Sequence, residues 1–315
     1  MIASHGAVQV AVLVGLGLTM LELAPRRLRR RAFTRSPRQG LFAWFGLLAA
    51  GMLGLGLAAL SALLATPWGS GIVGDVLHLC APTLQMDHRL PAPTLAAALA
   101  AAALVSGALS LALSAAVARR EVRRDRRRIA RRLLAQGAPC RLLGPAVVVV
   151  DDPKPLAFCL TAPRRIVVTS GALERLDEDE LRAVLAHEHA HLDGRHHLIV
   201  MAADVVARAF PWLHGPATAR AQIAQLCEML ADDAAVATYG AAPLVGALGE
   251  IGDVRPGAAL GAGASVVLRA RRLVECPQPT GGSWRAALGA ATGVGLFAAV
   301  LALPLLDVFA GGCSA

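Results

Sequence analysis

Long stretches without a charged side chain dominate this chain and limit what it can fold into. Ala7 to Ala24 holds one charge, Glu22. Gly40 to Ala65 and Thr94 to Ala118 hold none, and Ala286 to Phe309 holds only Asp307. At a helical rise of about 1.5 Å per residue, each run reaches across a hydrocarbon core of roughly 30 Å. The chain is 56% hydrophobic with a mean hydropathy of +0.55, well above the habit of soluble domains. Its net charge of +9 comes mainly from two arginine blocks, Arg26 to Arg38 and Arg119 to Arg128. Both blocks abut apolar runs, whereas the basic residues of a nucleic-acid binder normally stand apart from them. Direct nucleic-acid contact is therefore not expected.

The arginine blocks set the expected topology, because loops rich in Lys and Arg stay on the cytoplasmic side. The first run has no Lys or Arg before it and no small-residue cleavage site after it, so it reads as a retained span. The expected arrangement puts the N-terminus outside, residues 25–39 inside and residues 66–93 outside. Residues 119–285 then lie inside, and the C-terminus lies outside. This divides the chain into a membrane region 1–118 with helices at about 7–24, 40–65 and 94–118, a cytoplasmic domain 119–285, and a fourth helix with a short tail, 286–315. The arginines themselves read as topology signals in contact with anionic lipid; the other reading is a docking surface for a nucleic-acid-bound partner.

Residues 119–285 have a different texture, with mixed charges and local turn signals. Ala146 to Val150 is a short β-branched run ending at Asp151-Asp152-Pro153, which reads as a strand and turn. Phe158 to Thr161 and Arg165 to Thr169 flank Ala162-Pro163 and predict an antiparallel hairpin. Asp177, with Glu180 three residues on, resembles a capping box opening a helix from Glu178 to about Leu192.

That helix contains His187-Glu188-x-x-His191. Residues four apart share a helix face, so the two imidazoles can reach one metal ion. Glu188 stands beside them, where a carboxylate can take a proton from water at the metal. The bland alternative is a histidine-rich surface helix. A third ligand is needed, since a catalytic zinc usually has three protein ligands and one open position. Glu228 occupies another helical segment downstream, and Asp232 shares its face, where it can accept the free N–H of a ligand histidine. The bland reading of that pair is an exposed acidic face. Two imidazoles and a carboxylate suit zinc.

Three stretches resemble the gluzincin peptidases: Phe158 to Leu173, Asp179 to His191, and the Glu228-x-x-x-Asp232 helix. Three apolar runs before the catalytic domain and one after it are most similar to the BlaR/MecR-type membrane peptidases, while HtpX-like peptidases share the motifs but less of the layout. The resemblance implies a mainly α, integral membrane protein of about four transmembrane helices. Its cytoplasmic domain would be an α+β, zincin-like metallopeptidase with a small antiparallel sheet. It implies one Zn2+ on His187, His191 and Glu228, with Glu188 as general base and Asp232 behind the ligands. A substrate strand would pair with an edge strand near Arg165 to Thr169. Sensor members carry a penicillin-binding domain after the last span; the sequence stops at Ala315, so no such sensor is expected. The partner implied is a protein substrate, with a cytoplasmic repressor as the signalling version. The alternatives are a broad-specificity quality-control protease and a non-catalytic membrane scaffold, although a scaffold has no chemical need for Glu188.

Weaker signals stay open at this level. His189 is about 200° around the helix from His187 and is expected to face elsewhere, while His196 and His197 only add to the local histidine count. Leu198 to Leu213 reads either as a core helix or as one dipping into the membrane surface. Tyr239, the only tyrosine, is a candidate oxyanion donor with nothing to place it near the metal. Cys80 and Cys313 both fall outside in the expected topology, as a disulfide or as two thiols; Cys140, Cys159, Cys227 and Cys276 are expected to stay reduced.

Overall fold

A computed structural model of the chain describes residues 2–29, 33, 36–64, 93–139, 146–161, 163–251 and 262–275. The fourth apolar run, Cys80, Cys140, Cys276 and Cys313 lie outside these residues. What is described is mostly helical, with a small four-stranded sheet.

The first apolar run is helical throughout, but not as one regular α-helix. Helix α1 (Ile2–Leu18) passes through a wide π turn, Thr19–Leu23, into α2 (Ala24–Arg29). Pro25 lies just past the turn and has no N–H to give the Leu21 carbonyl, so the regular ladder breaks there. Helix α3 (Pro37–Leu64) covers the second run and packs along α1. Helix α4 (Pro93–Gln136) covers the third run and continues unbroken through the second arginine block, so its 44 residues extend about 66 Å. Residues Pro37–Leu63 and Ala98–Asp125 are long and apolar enough to cross a membrane. Little of either is buried within the protein. On α4, Leu95, Leu99, Val105, Leu109, Leu113 and Val117 are all exposed, which is not how the core helix of a soluble domain behaves.

The sheet comprises β1 (Gly137–Pro139), β2 (Val147–Val150), β3 (Ala157–Thr161) and β4 (Arg164–Thr169) in the order β1-β2-β4-β3. The β3–β4 hairpin is antiparallel, as its sequence predicts, with Phe158 opposite Val167. The expected all-antiparallel sheet is not what forms. β4 inserts between β3 and β2 and runs parallel to β2, with Val148 opposite Val167, so the sheet is mixed. The reason lies in β4 itself: Ile166, Val167 and Val168 are all essentially buried, a continuous apolar run that suits an interior strand. Arg165 to Thr169 is therefore not an edge, contrary to expectation. β3 borders the sheet on that side.

Helix α5 (Ser170–Arg175) follows β4 directly, and the Thr169 hydroxyl accepts from Ala172 N. Next comes α6 (Glu178–Asp193), opened by the predicted capping box. Asp177 accepts from the Glu180 backbone at 2.8 Å, and Glu180 accepts from the Asp177 backbone at 3.1 Å. Leu181, Val184 and Leu192 of α6 pack onto Val147, Ile166 and Val168 of the sheet. Helices α7 (His196–Ala209), α8 (His214–Tyr239), α9 (Ala241–Ile251) and α10 (Ala262–Glu275) complete the described chain. A second core joins α8 to the apolar helices: Leu21, Trp44 and Leu48 pack with Ile223, Leu226 and Met229. Gly40 makes that approach possible, since a Cβ there would stand 2.8 Å from the Leu226 side chain.

Candidate metal centre

Two crossing helices build the centre. α6 supplies His187, Glu188 and His191, all on its buried face, and α8 supplies Glu228 and Asp232, also buried. The face that α6 turns away from the sheet meets the face of α8 that carries the acids, so residues 37 positions apart in the sequence converge.

The donor atoms form a compact triangle. His187 Nε2 and His191 Nε2 are 3.1 Å apart. Glu228 places Oε2 at 3.6 Å from the first and Oε1 at 3.6 Å from the second. Among the described residues, these three form the cluster able to hold a metal ion. A tetrahedral zinc with ligand bonds of about 2.0–2.1 Å sets its ligand atoms about 3.3–3.4 Å apart. The imidazole nitrogens at 3.1 Å, and a Glu228 oxygen at 3.6 Å from each, Oε2 from one and Oε1 from the other, are close to that value, and two imidazoles with a carboxylate suit the ion. Glu188 supports the fit. Its Oε2 is buried without a hydrogen-bond partner, a costly arrangement for a carboxylate unless the site supplies a polar group.

Further groups orient the triangle. His187 Nδ1 lies 3.0 Å from Asp232 Oδ1, as the shared face of Glu228 and Asp232 predicts. Burial alone would lower the His187 pKa. Asp232 and Glu228 outweigh it and raise it to about 9. Burial pushes Asp232 the other way, toward protonation, but Arg269 and His187 overcome it and bring its pKa down to about 2.

Sequence reasoning missed two contributors. Arg269, on α10, is almost fully buried and grips Asp232 with two hydrogen bonds, Nε to Oδ2 at 2.8 Å and Nη2 to Oδ1 at 2.6 Å. Its Nη1 also lies 3.4 Å from Glu228 Oε2. One turn on, Arg272 pairs with Asp233 at 2.6 Å. The available signal was that Arg269, Arg272 and the buried Leu273 share one helix face. The second contributor is His196, whose Nδ1 is 2.9 Å from His191 Nδ1. With a metal on His191 Nε2, Nδ1 would carry the ring hydrogen and could donate it to His196. A sharp turn brings His196 there: Arg195 is left-handed (φ 48°), and a Cβ on Gly194 would stand 2.5 Å from the His196 ring.

The remaining candidates stay away from the centre. His189 is exposed, as expected. Tyr239 is exposed at the far end of α8, eleven residues beyond Glu228, or about 16 Å along the helix. Cys227 is buried in the core against α3 and Cys159 lies on β3, neither in a disulfide.

The model of Peptidase family M48 matches residues 119–248, which include every residue of the triangle. Similar proteins include a "Protease HtpX homolog" of Tropheryma whipplei (strain Twist), 40% identical over 82 residues, covering 22% of this chain and 28% of that protein. The homologue of Caldanaerobacter subterraneus subsp. tengcongensis is 35% identical over 77 residues, covering 24% of each chain. That of Neisseria meningitidis serogroup C (strain FAM18 / ATCC 700532 / DSM 15464, serotype 2a) is 41% identical over 61 residues, covering 18% of this chain and 22% of the other. The chain thus spans about a quarter of the length of these relatives. No solved structure matches it. Residues 119–248 are thus similar to Peptidase family M48, whose metalloproteases use zinc, and they contain the His187–His191–Glu228 cluster that could hold one.

Proposed function

We propose that the chain is a multi-pass membrane zinc metalloendopeptidase that cuts a protein substrate at the cytoplasmic face. One observation carries this reading: the buried His187, His191 and Glu228, with donor atoms within 4.8 Å of one another, adjoin a buried carboxylate oxygen, on Glu188, that has no partner. His187, His191 and Glu228 would hold the ion. Zinc held there supplies a Lewis acid that polarises the scissile carbonyl and makes water more acidic. Glu188 accepts the proton of the attacking water and hands it to the departing amine nitrogen. Asp232 and His196 fix the ring orientations of the two histidines, and Arg269 holds Asp232 and Glu228 in place. An extended substrate would add to the sheet alongside β3, the bordering strand next to α6.

The membrane part of the reading rests on α3 and α4, whose apolar faces are exposed, and on the arginines at their inner ends. The first and fourth runs complete a four-span layout with the N-terminus outside. The similarity to proteins named protease HtpX homologues supports proteolysis, with a broad-specificity quality-control enzyme as the alternative. The order of the apolar runs favours the BlaR/MecR-type reading, in which a cytoplasmic repressor is cut. A direct test is hydrolysis of an unfolded protein such as casein by the detergent-purified chain. Cleavage that stops with a zinc chelator and returns with added zinc supports the proposal; cleavage indifferent to the chelator refutes it. Comparing intact proteins in cells with and without active enzyme then separates many substrates from one.

A further inference from the structure

The hairpin of α7 and α8 departs from what a cytoplasmic domain requires. Its tip, Phe210-Pro211-Trp212-Leu213, does not point into water away from the apolar helices. It lies between them. Ser110, in the middle of the third apolar run, donates its hydroxyl to the Ala209 carbonyl at 2.7 Å. On the other side, the backbone of Gly215 sits against the Leu21 carbonyl so closely that a Cβ would fall 1.5 Å from it. That is the carbonyl which Pro25 cannot satisfy.

These contacts act as two rulers. Ser110 is nine residues before Arg119, or about 13 Å along α4. Leu21 is five residues before Arg26, or about 7 Å along its helix. The hairpin tip therefore sits about 7–13 Å beyond the arginine level, within a hydrocarbon core of roughly 30 Å.

The chemistry of the hairpin agrees with that depth. Irregular backbone at membrane depth must have its polar groups satisfied by protein. In the turn, Phe210 N bonds Val206 O, Leu213 N bonds Phe210 O, His214 N bonds the Glu22 carboxylate at 2.7 Å, and Ala209 O takes Ser110. The charges are paired as well. Asp204 binds both Arg208 and Arg220, and Arg208 stretches back toward the arginine block to reach Glu121. Trp212 presents a large apolar ring at the tip, 67% exposed and edge-on to Phe210.

We propose that residues 196–226 form a re-entrant hairpin, inserted in the cytoplasmic leaflet among the spans, with Trp212 in contact with lipid. The inference rests on the membrane reading given above and adds an element that the four apolar runs do not include. Since Glu228 lies two residues beyond Leu226, itself packed on Gly40, the hairpin anchors the metal centre at the membrane surface.

The test uses the full chain in lipid nanodiscs. Subtracting the emission of Trp212→Phe from that of wild type isolates Trp212 from the other tryptophans. Lipids brominated on their acyl chains are expected to remove about half or more of that signal, and aqueous acrylamide to leave it nearly intact. Quenching by acrylamide would overturn the proposal. So would insensitivity to both quenchers, because Trp212 would then be covered by protein. If Trp212→Phe does not fold, a nitroxide on Pro211→Cys, with the reactive native cysteines replaced by serine, gives the same answer. It must collide more with oxygen than with an aqueous nickel chelate; the reverse order refutes insertion. An alkaline carbonate wash distinguishes the two levels: loss of the chain from membranes sinks the membrane reading itself, whereas retention with a water-accessible tip sinks the hairpin alone.

Discussion

His187 Nδ1 stands 3.0 Å from Asp232 Oδ1, and Arg269 holds that same oxygen from the other side at 2.6 Å. The ligand histidine, the acid behind it and the arginine behind both thus form one buried chain. Each link is charged or polar, so each removal leaves the next group buried and unpaired.

The first consequence concerns pH. With its pKa raised to about 9, His187 of the metal-free protein carries a proton at neutral pH. Zinc binding must release that proton, so apparent zinc affinity should climb about tenfold per pH unit toward pH 9 and then level. The sign for folding is the opposite. A pKa raised above 6.5 contributes stability that is complete below pH 6.5 and lost as pH rises through about 9. Thermal unfolding of the metal-free protein across that window should show a falling Tm, and a rising one would contradict the assignment.

Arg269 is the second case. Replacing it with alanine leaves the buried Asp232 and Glu228 carboxylates with His187 alone as a neighbouring cation. Losing one partner of a buried ion pair costs about 3–5 kcal/mol, so the variant should unfold at markedly lower denaturant. Arg269→Lys keeps the charge but not the fork of two hydrogen bonds, and is expected to recover only part of the loss.

For His196, substitution by alanine removes the acceptor for His191 Nδ1 and leaves the triangle itself unchanged. Changes to partners of this kind typically weaken metal affinity about 10–100-fold. Competition against a fluorescent zinc chelator measures this directly. Unchanged affinity would mean that the His191 ring is held by packing alone.

Gly215→Ala tests the docking of α8 on the apolar helices. The added methyl meets backbone at Leu21, which cannot rotate away as a side chain can. The expected cost is about 1–3 kcal/mol or more, seen as a lowered Tm in detergent. Gly249→Ala, with open space around it, should be close to neutral and serves as the control.

Local signals in the sequence were the readable ones. The capping box at Asp177 and Glu180, the four-residue spacing of His187 and His191, and the Glu228–Asp232 repeat each follow from one helix period. The β3–β4 hairpin was equally local. What escaped depends on distant contacts. The apolar run Ile166 to Val168 marks an interior strand, but nothing local says that its second neighbour is Val147 to Val150, since that pairing joins distant segments. Arg269 reaches Asp232 across 37 residues; the face it shares with Arg272 and Leu273 sets it apart from the exposed Arg271, which pairs with Glu275, but says nothing of the partner it meets. His196 needed the left-handed Arg195 to turn the chain. The apolar stretch Leu198 to Leu213 was too short and too charged to declare its surroundings; the Ser110–Ala209 bond locates it.

The central claim is tested most directly by measuring bound zinc and peptide cleavage in parallel for the wild type and Glu188→Gln, both purified in detergent. The account predicts one zinc per chain in both proteins, with cleavage in the wild type alone, because Glu188 moves a proton and does not hold the ion. Absence of zinc from both proteins, or cleavage by Glu188→Gln at the wild-type rate, would contradict it.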